Sequence, residues 1–513
     1  MRRPEPPANQ RTIPHTLAFW ADATPDAPAL RHGDSVLTYR GLDRAVRAAA
    51  SRLVSVGITT GDRVVLVGGN SIGWVVSYLA TLRLGAIIAP ANNRLNSTQF
   101  VQQCDTLGAA LVLYDEEHRH LAVAAAGPER DTLELAGVLR VTGTEAESPL
   151  PAMPEPESPA LISFTSGTTG LPKGAVLTHS ALVGGSRAFR DHIGSGPEDS
   201  TLIVVPLFHN TGFVDQLGHM LLAGGRTDLL TKFKTAAAVE EYAAHPVTFV
   251  TAVPSILRLL MVADGGEAVY ANARVVLFGG SPMPGAWTQE LLRRWPHLTL
   301  IHGYGLTEFT SVCTFLPADL ISTKGESVGL PAAGVILKVV DESGADQPTM
   351  TDGEVLVSGP TLMTEYWGQP ELTADKIHDG WLRTGDLGHL DEDGLLWLSG
   401  RVDDVINRGG EKVLPSHVES CLAEESAVSD AAVFGYDDPI LQSRVAAAIE
   451  PRPGRYFDEA ATRRHLLTLL PDYAVPERWI VYERLPRTAS GKVDRKAVAR
   501  HYQEGTSRSP EES

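Results

Sequence analysis

The stretch Thr165–Gly174, "TSGTTGLPKG", decides how the rest of the sequence is interpreted. Three of its ten residues are glycines, and the apolar run "ALISF" before it is typical of a strand that enters a turn. Glycines let the backbone approach a phosphate closely and direct successive N–H groups at it. Lys173 adds a positive charge, and further donors come from the hydroxyl groups of Thr165, Ser166, Thr168 and Thr169. The stretch therefore predicts a phosphate-binding loop.

Two alternatives for this stretch are a flexible surface loop and a Walker-type P-loop. The preceding apolar strand, the density of hydroxyl groups and the Pro-Lys-Gly ending disfavour a plain surface loop. A Walker loop requires Gly-Lys-Ser/Thr after four spacer residues. Here the lysine lies between proline and glycine, and the one Gly-Lys pair of the chain, Gly491-Lys492, is followed by valine. The Walker interpretation is therefore rejected.

The bulk composition limits the class of protein. A chain of 513 residues is too long for a single hydrophobic core, so two or more domains are expected. The formal net charge of −18 disfavours binding to nucleic acid or to an anionic membrane. Its three cysteines match no zinc or redox spacing, which favours a reducing compartment. No apolar run has the length of a signal peptide core or a membrane span, so we expect a cytoplasmic protein, either a monomer or a homodimer.

Helical and strand patterns alternate along the chain from Tyr39 onward. Helical periodicity in "YRGLDRAVRAAASRLVSVG" is followed by the β-branched run "DRVVLVGG", and similar pairs recur downstream. This alternation predicts an α/β fold with a large N-terminal domain of layered, doubly wound α/β subdomains. Short strands and Gly-centred turns between about 327 and 400 predict a small β-barrel-like subdomain. The mixed pattern beyond it predicts a small α+β C-terminal domain.

Four further motifs follow the loop in order: "YGLTE" at 304–308, "WLRTGD" at 381–386, "GRVDDVINRGGEKV" at 400–413 and "PRTASGKVDRKAV" at 486–498. Together with "TSGTTGLPKG" they resemble the adenylate-forming superfamily of acyl-CoA synthetases, peptide-synthetase adenylation domains and beetle luciferases. The resemblance implies a reaction in two steps. A carboxylate attacks the α-phosphate of ATP to give an acyl-adenylate and pyrophosphate, and a nucleophile, usually the thiol of coenzyme A, then displaces AMP. The expected cofactors and substrates are ATP, Mg²⁺, coenzyme A and a small carboxylic acid.

The resemblance also implies a domain organisation. An N-terminal AMP-binding domain is expected over residues 13–402, and a mobile C-terminal domain with the catalytic lysine over 403–502. The smaller domain is expected to rotate about a hinge near Asp403 between the two steps. Residues 1–12 and 503–513 are expected to be disordered ends.

Several residues are implied to bind ATP or AMP. Tyr304 would offer its ring to adenine, with "GGSPMP" as the opposite wall, and Asp386 would accept both ribose hydroxyls. Without the flanking motifs, a core aromatic residue and a common Thr-Gly-Asp turn would be the preferred interpretations. The full implied set is Thr165, Ser166, Gly167, Thr168, Thr169, Gly170, Lys173, Gly280, Ser281, Pro282, His302, Gly303, Tyr304, Gly305, Asp386 and Arg401.

The implied catalytic residues are Lys492, Glu308, Thr307 and His209. Lys492 would bridge the incoming carboxylate and the α-phosphate, a role suited to a compact charge on a flexible stem. Glu308 and Thr165 are implied to hold Mg²⁺, which prefers oxygen ligands. Thr307 would contact the α-phosphate.

The substrate acid is expected to meet His209 and Gly305. Amino-acid-activating relatives have an aspartate at the position of His209, so a free α-amine would lack its partner here. The pocket is expected to be lined from 207–215, 251–256, 279–283 and 302–313, with Arg258 and His302 as candidates to meet a second carboxylate. Fatty, aromatic and dicarboxylic acids all remain open.

Coenzyme A is expected at Lys232, Gly409 and Gly410, where the two glycines would leave room for the pantetheine arm. One alternative is an acyl-adenylating enzyme with another acceptor, such as a carrier-protein thiol or an amine. Another is an inert nucleotide-binding regulator, which the intact motif residues disfavour. The sequence departs from the family pattern at Ser281, where alanine is frequent, and at Gln442-Ser443, where Gly-Glu is common.

Overall fold

The computed structural model describes residues 12–128, 130–139, 149–165, 173–281, 283–409, 411–487 and 493–506. By packing, the chain divides into two compact units. The first consists of Met1–Leu337 and Val357–Leu382, and the second of Lys338–Leu356 and Arg383–Ser513. The predicted boundary at Asp403 concerns rotation rather than packing, and it stays a prediction.

The first unit contains a nine-stranded sheet with a parallel centre and antiparallel edges. Its strands, in spatial order, are Leu330–Pro331, Ser311–Leu316, Thr299–Leu306, Val275–Gly279, Phe249–Ala252, Ser200–Ile203, Arg226–Leu229, Pro28–His32 and Ser35–Thr38. The central strands are buried apolar runs, as parallel strands covered on both faces require.

A seven-stranded sheet lies in the same unit, again with a parallel centre. In spatial order its strands are Glu365–Tyr366, Lys173–Thr178, Pro159–Thr165, Ile87–Pro90, Arg63–Val67, Leu111–Tyr114 and Asp131–Glu134. Val65, Ile87, Val112 and Ile162 from its central strands pack with Phe100 of a covering helix in one buried cluster.

The second unit holds most of two five-stranded sheets. The first comprises Ile336–Val340, Gly353–Ser358, Trp381–Leu390, Ile377–His378 and Leu396–Arg401. The second comprises Glu411–Val413, Ile406–Arg408, Gln442–Pro451, Val428–Asp438 and Arg478–Val481.

The long hairpin of the second of these sheets supplies two cores. Because successive side chains point to opposite faces of a strand, Val433, Val445 and Ile449 enter one buried cluster, whereas Phe434 and Ala446 enter the other. Both faces of this hairpin are therefore covered.

Several helices begin at a residue whose side chain caps the first turn. Thr38, for example, accepts a hydrogen bond from the backbone N–H of Gly41 at the start of Tyr39–Ser55. The α-helices are Ile13–Ala23, Tyr39–Ser55, Ile72–Arg83, Ser97–Leu107, Arg119–Ala125, Leu135–Leu139, His179–Ile193, Asn210–Gly212, His219–Ala223, Thr235–Ala244, Pro254–Val262, Glu267–Ala271, Gly285–Arg294, Pro370–Lys376, Pro415–Ala423, Glu459–Leu469 and Arg495–Thr506. Short 3₁₀ turns cover Glu116–His118, Thr307–Phe309, Ala318–Leu320, Val402–Asp404 and Asp472–Ala474, and Phe213–Gly218 is a π-helix. No helix among the described residues combines the length and apolar character needed to cross a bilayer.

The α/β prediction is confirmed: doubly wound layers form the larger unit, and a smaller mixed unit follows. The helix predicted from Tyr39 ends at Ser55, shortly before Gly57, and the run "DRVVLVGG" forms the strand Arg63–Val67. The helix and the strand form where the spacing of apolar residues matches helical or strand geometry, so that each element buries its apolar side chains.

Candidate active site

A pair of antiparallel strands closes the base of the predicted phosphate loop. Pro159–Thr165 leads into the loop, Lys173–Thr178 leads out, and Thr165 pairs directly with Lys173. The strand pair therefore delivers Lys173 at the mouth of the loop. Outside the described residues lie the predicted phosphate contacts Ser166, Gly167, Thr168, Thr169 and Gly170, as well as the side chain of Thr165.

The "YGLTE" motif occupies the end of the strand Thr299–Leu306 and the 3₁₀ turn Thr307–Phe309. Gly305 must be a glycine, because a Cβ atom there would lie 1.4 Å from the carbonyl oxygen of Ser311. This close approach folds the returning strand Ser311–Leu316 tightly against the motif. Tyr304 and Gly303 lie on the same strand and are partly exposed.

Glu308 is connected to the phosphate-loop strands through one tyrosine. The phenol of Tyr366 donates a hydrogen bond to Glu308 Oε1 at 2.9 Å, and the ammonium of Lys173 lies 5.8 Å from the centre of the same ring. Tyr366 reaches this place because its strand pairs with the strand after the loop, opposite Ala175. Tyr366 thereby links Lys173 of the phosphate loop to Glu308 of "YGLTE", although the two residues lie more than 130 positions apart in the chain.

The groups predicted to flank adenine lie on neighbouring strands. The strand Val275–Gly279 precedes Gly280 and Ser281, and it pairs in parallel with the strand that carries His302. The ring of His302 stacks on Phe278 at 4.8 Å, and its Nδ1 lies 2.9 Å from the carbonyl oxygen of Ser327. Burial lowers the pKa of His302, so it acts as a neutral ring. Pro282 lies outside the described residues.

His209 lies at the start of the short helix Asn210–Gly212 and is mostly buried. Burial, and to a lesser extent the positive charge of Arg94, lowers the pKa of His209 to about 4. Its imidazole is therefore neutral at physiological pH. Arg258, which the sequence offers to a second carboxylate, already pairs with Glu290 at 2.6 Å.

In the second unit, Asp386 and Arg401 form one group. They face each other across two antiparallel strands, and Arg401 donates to Asp386 Oδ1 at 2.9 Å. Arg401 also donates to the carbonyl oxygen of Thr384 at 3.3 Å. The carboxylate is buried, whereas the guanidinium is partly exposed, so a diol that approaches Asp386 meets both groups.

The structure describes the base of the loop that carries Lys492 but not Lys492 itself, since residues 488–492 lie outside the described part. Arg487 and Val493 form a bridge across this base, and the N–H of Asp494 donates to the carbonyl oxygen of Pro486 at 2.8 Å. Asp403 lies exposed in the 3₁₀ turn Val402–Asp404.

The residues predicted for coenzyme A lie in different surroundings. Lys232 is exposed, 3.7 Å from the carboxylate of Glu117. Gly409 has a φ of +62°, and a Cβ there would lie 2.8 Å from Leu441. Its missing side chain therefore serves the backbone turn, a reason that the sequence interpretation did not give. Gly410 lies outside the described residues.

Sequence reasoning singled out neither Tyr366 nor Asp215, although Asp215 ends the range 207–215 that was expected to line the acid pocket. Tyr366 carries no motif, and only the pairing of its short strand brings it to Glu308. Asp215 is buried in the π-helix that follows His209, and the hydroxyl of Ser311 donates to its carboxylate. A carboxylate within the mostly apolar run "FVDQLGHMLLAGG" was the available signal for Asp215.

The carboxylate oxygens of Glu308 are suited to bind a magnesium ion. Tyr366 donates to one carboxylate oxygen, and the other accepts no hydrogen bond from a described residue. No cluster of three or more His, Cys, Asp or Glu side chains suited to a metal occurs in the described ranges. Mg²⁺ commonly uses one or two carboxylates together with substrate phosphates, so a single glutamate beside a phosphate loop is sufficient from the protein side.

Comparison with known proteins finds family matches over most of the chain. Residues 17–367 match the family described as "AMP-binding enzyme", and residues 417–492 match its "C-terminal domain". A feruloyl-CoA synthase from Amycolatopsis sp is 31% identical over 94% of this chain and 97% of its own. A fatty acid–[acyl-carrier-protein] ligase from Streptomyces coeruleorubidus is 30% identical over 95% of this chain and 96% of its own.

A solved structure resembles the whole chain. The o-succinylbenzoate CoA synthetase of Bacillus subtilis, in complex with the acyl-adenylate intermediate OSB-AMP, superimposes with a TM-score of 0.84 at 27% identity. The match covers 94% of this chain and 97% of that one. The same enzyme has been solved with ATP and a magnesium ion.

Proposed function

This chain belongs to the AMP-binding enzyme family and is an AMP-forming acid–CoA ligase, and on that premise we propose which of its residues carry the two steps. The observation that carries the proposal is the arrangement of Lys173, Tyr366 and Glu308. It supports a site in which a phosphate chain lies between the loop and the "YGLTE" turn.

In the first step, Lys173 and the loop hold the ATP phosphates while Thr307 contacts the α-phosphate. Glu308 and Thr165 would hold Mg²⁺, which neutralises triphosphate charge when it is bound. Lys492 guides the incoming carboxylate to the α-phosphate and stabilises the negative charge that develops there. Tyr366 fixes the orientation of the Glu308 carboxylate through its hydrogen bond.

Separate groups are proposed for the adenine ring and for the ribose. Tyr304, together with the turn at Gly280 and Ser281, contacts the adenine ring. Asp386 accepts hydrogen bonds from the ribose hydroxyls, and Arg401 holds that carboxylate in its orientation through their ion pair.

In the second step, the smaller domain rotates near Asp403, and the thiol of coenzyme A reaches the acyl-adenylate. Gly409 and Gly410 then border the pantetheine arm, and Lys232 meets the phosphates of coenzyme A. The exposure of Lys232 supports this role, because its ion pair with Glu117 is solvent-exposed and costs little to exchange.

The substrate is a carboxylic acid without a free α-ammonium group. His209 is neutral and offers an amine no negative charge, which supports this restriction. Arg258 is paired with Glu290, so a second carboxylate would have to displace that pairing.

The function is tested by ATP–pyrophosphate exchange with fatty, aromatic, dicarboxylic and amino acids. We expect exchange with a subset of the acids that lack an α-amine. Release of AMP, measured with and without coenzyme A, then reports the second step. Exchange with none of the acids would contradict the proposed function.

A carrier-protein thiol is the second candidate acceptor, because one relative is an acyl-carrier-protein ligase. The two acceptors are separated by supplying coenzyme A or a phosphopantetheinylated carrier protein to enzyme that is saturated with ATP and acid. Faster AMP release with coenzyme A supports the first candidate, and faster release with the carrier protein alone supports the second.

Lys492→Ala is expected to lower adenylation by several orders of magnitude while the protein remains folded. The reason is that no other predicted group would place a positive charge between the carboxylate and the α-phosphate. Pyrophosphate exchange measures the loss, and circular dichroism checks the fold. Acyl-adenylate formation at a rate near wild type would show that the assignment of Lys492 is wrong.

A further inference from the structure

Asp215 is a buried carboxyl group with no role in the steps above. Its residue is 6% exposed, and it lies in the π-helix Phe213–Gly218, a geometry that often occurs at functional sites. Hydroxyl groups of Ser311 and Thr211 donate hydrogen bonds to its carboxylate. Within the described residues it forms no ion pair, although buried carboxylates are seldom left without a cation.

The backbone that presents Ser311 to Asp215 is strained. Thr310 and Ser311 have φ values of +49° and +87°, a region that residues with a side chain rarely adopt. Such conformations are energetically costly and persist where surrounding contacts enforce them. Thr310 Oγ1 donates to the carbonyl oxygen of Thr361 at 2.6 Å, which fixes the turn. The hydroxyl of Ser311 in this turn donates to the buried carboxyl group.

This group lies beside both proposed contacts of the substrate carboxyl. The backbone of Ser311 lies against Gly305, an expected contact of the substrate acid, because a Cβ atom on Gly305 would lie 1.4 Å from the carbonyl oxygen of Ser311. Thr211 is two residues after His209, which limits the separation of their Cα atoms to about 8 Å. A second polar atom, on the residue before Thr211, is unsatisfied: the side-chain nitrogen of Asn210 is buried and has no hydrogen-bond partner among the described residues.

Asp215 retains unused acceptor capacity. An ionised carboxylate offers about four lone-pair sites, and two hydroxyl groups engage it here. Burial raises its pKa to about 7, against the opposing effect of the two hydroxyl donors, so the carboxylate lacks full compensation. A hydrogen-bond donor on the bound substrate would supply the missing stabilisation of this carboxylate.

We propose that Thr211, Asp215 and Ser311, together the Asp215 cluster, form the polar end of the acid-binding site and accept a hydrogen bond from a hydroxyl or amino group of the substrate acid. The inference rests on the proposed ligase function and narrows its substrate class.

The test uses acids that differ in one donor: 3-phenylpropanoate, 3-(4-hydroxyphenyl)propanoate and 3-(4-aminophenyl)propanoate, with octanoate as an apolar reference. ATP–pyrophosphate exchange gives kcat/KM for each. A site built around a substrate hydroxyl strongly rejects the analogue without it. We expect the wild-type enzyme to prefer a donor-bearing acid over 3-phenylpropanoate by about 100-fold or more.

Asp215→Leu removes the acceptor and is expected to reduce that preference to less than about fivefold, mainly through the donor-bearing acid. Asp215→Asn keeps one acceptor and is expected to lie between the two. Asp228→Asn is the control, because Asp228 is a buried carboxylate of the same unit that pairs with Arg31 and Arg226. Its selectivity should match wild type.

The possible outcomes distinguish failure of this inference from failure of the proposed ligase function. A wild-type enzyme that prefers 3-phenylpropanoate or octanoate overturns the inference while the ligase function stands. So does an Asp215→Leu variant that is folded by circular dichroism and keeps the wild-type preference, because Asp215 is then only a structural link between helix and strand. Exchange with no acid of any class contradicts the ligase function itself. If Asp215→Leu fails to fold, the wild-type ratio and Asp215→Asn still decide the matter.

Discussion

At the scale of single residues, one phenol links the two charged groups of the proposed phosphate site. Tyr366 donates to Glu308 and lies beneath the ammonium of Lys173. Tyr366→Phe keeps the ring but removes the donor. A hydrogen bond to a charged group contributes about 1.5–3 kcal/mol, so kcat/KM for adenylation should fall roughly 10- to 150-fold. Pyrophosphate exchange measures this, with Tyr456→Phe as the exposed control. An unchanged rate would contradict a positioning role for Tyr366.

The titration of Asp215 predicts a pH-dependent stability. Burial raises the pKa of its carboxyl from 3.8 to about 7, so the folded protein keeps a proton that the unfolded chain loses near pH 4. Between these values the folded state binds more protons, and its stability relative to an Asp215→Asn variant therefore falls as the pH rises. Melting temperatures at pH 5 and pH 8 measure the difference.

Asp22→Asn, a change at an exposed carboxylate, is the control for this titration. Between pH 5 and pH 8 the melting temperature of Asp215→Asn should rise relative to wild type, whereas that of Asp22→Asn should not. Parallel pH profiles for wild type and Asp215→Asn would show that Asp215 titrates like an ordinary carboxyl group.

At the scale of secondary-structure elements, the helix after the Lys492 loop is anchored by its first residue. Arg495 pairs with Glu419 at 2.7 Å and also with Asp404, next to the proposed hinge residue. Arg495→Met would leave two half-buried carboxylates without a cation. We expect a stability loss of about 2 kcal/mol and a clear loss of adenylation, because the base of the loop loosens.

Arg500→Met is the matched control for Arg495→Met, since Arg500 is an exposed arginine of the same helix. Calorimetry and pyrophosphate exchange of both variants separate the anchor from a general charge effect. Equal behaviour of the two variants would argue against an anchoring role for Arg495.

Elements with strong periodicity were predictable from the sequence, and contacts between distant elements were not. The strand Arg63–Val67 and the helix Tyr39–Ser55 follow from local patterns. The two-residue strand Glu365–Tyr366 has no such pattern and exists only through its pairing with Lys173–Thr178. Tyr366 therefore escaped detection, although the motif residue it contacts was identified.

The same limit applies to backbone strain. A sequence departure was noted at Gln442, where glycine is common among relatives, and the structure gives it a φ of +66°. At Thr310 and Ser311 no sequence signal indicates left-handed backbone, because tertiary contacts impose it. Ordered motifs could thus nominate candidate site residues, but their mutual geometry could not be predicted from the sequence.

At the scale of the whole molecule, the proposed rotation near Asp403 predicts that the two half-reactions can be separated. Asp403 lies in a 3₁₀ turn, where φ is typically −50° to −70°, close to the φ that proline imposes. Asp403→Pro should therefore fold but hinder rotation. We expect pyrophosphate exchange and coenzyme A-dependent AMP release to change unequally, by a ratio of at least about 100.

Asp403→Ala, which removes the same side chain without restricting the backbone, is the control for Asp403→Pro. It should leave the ratio of the two half-reactions near that of wild type. Equal losses of both half-reactions in Asp403→Pro would indicate damage to the fold and would remove the support for a hinge.

The long hairpin of the smaller unit, Val428–Asp438 with Gln442–Pro451, has a consequence for how its alignment is chosen. Both faces of the hairpin are apolar. A shift of one strand by a single residue would therefore move its side chains from one buried cluster to the other without exposing apolar side chains to water. Burial of apolar side chains therefore does little to favour the native register over a register shifted by one residue. The choice falls to the connecting bend, where the carboxylate of Asp438 binds the N–H groups of Ile440 and Leu441. An insertion of one residue in that turn should therefore disturb the fold of the smaller unit more than many substitutions among its buried apolar side chains.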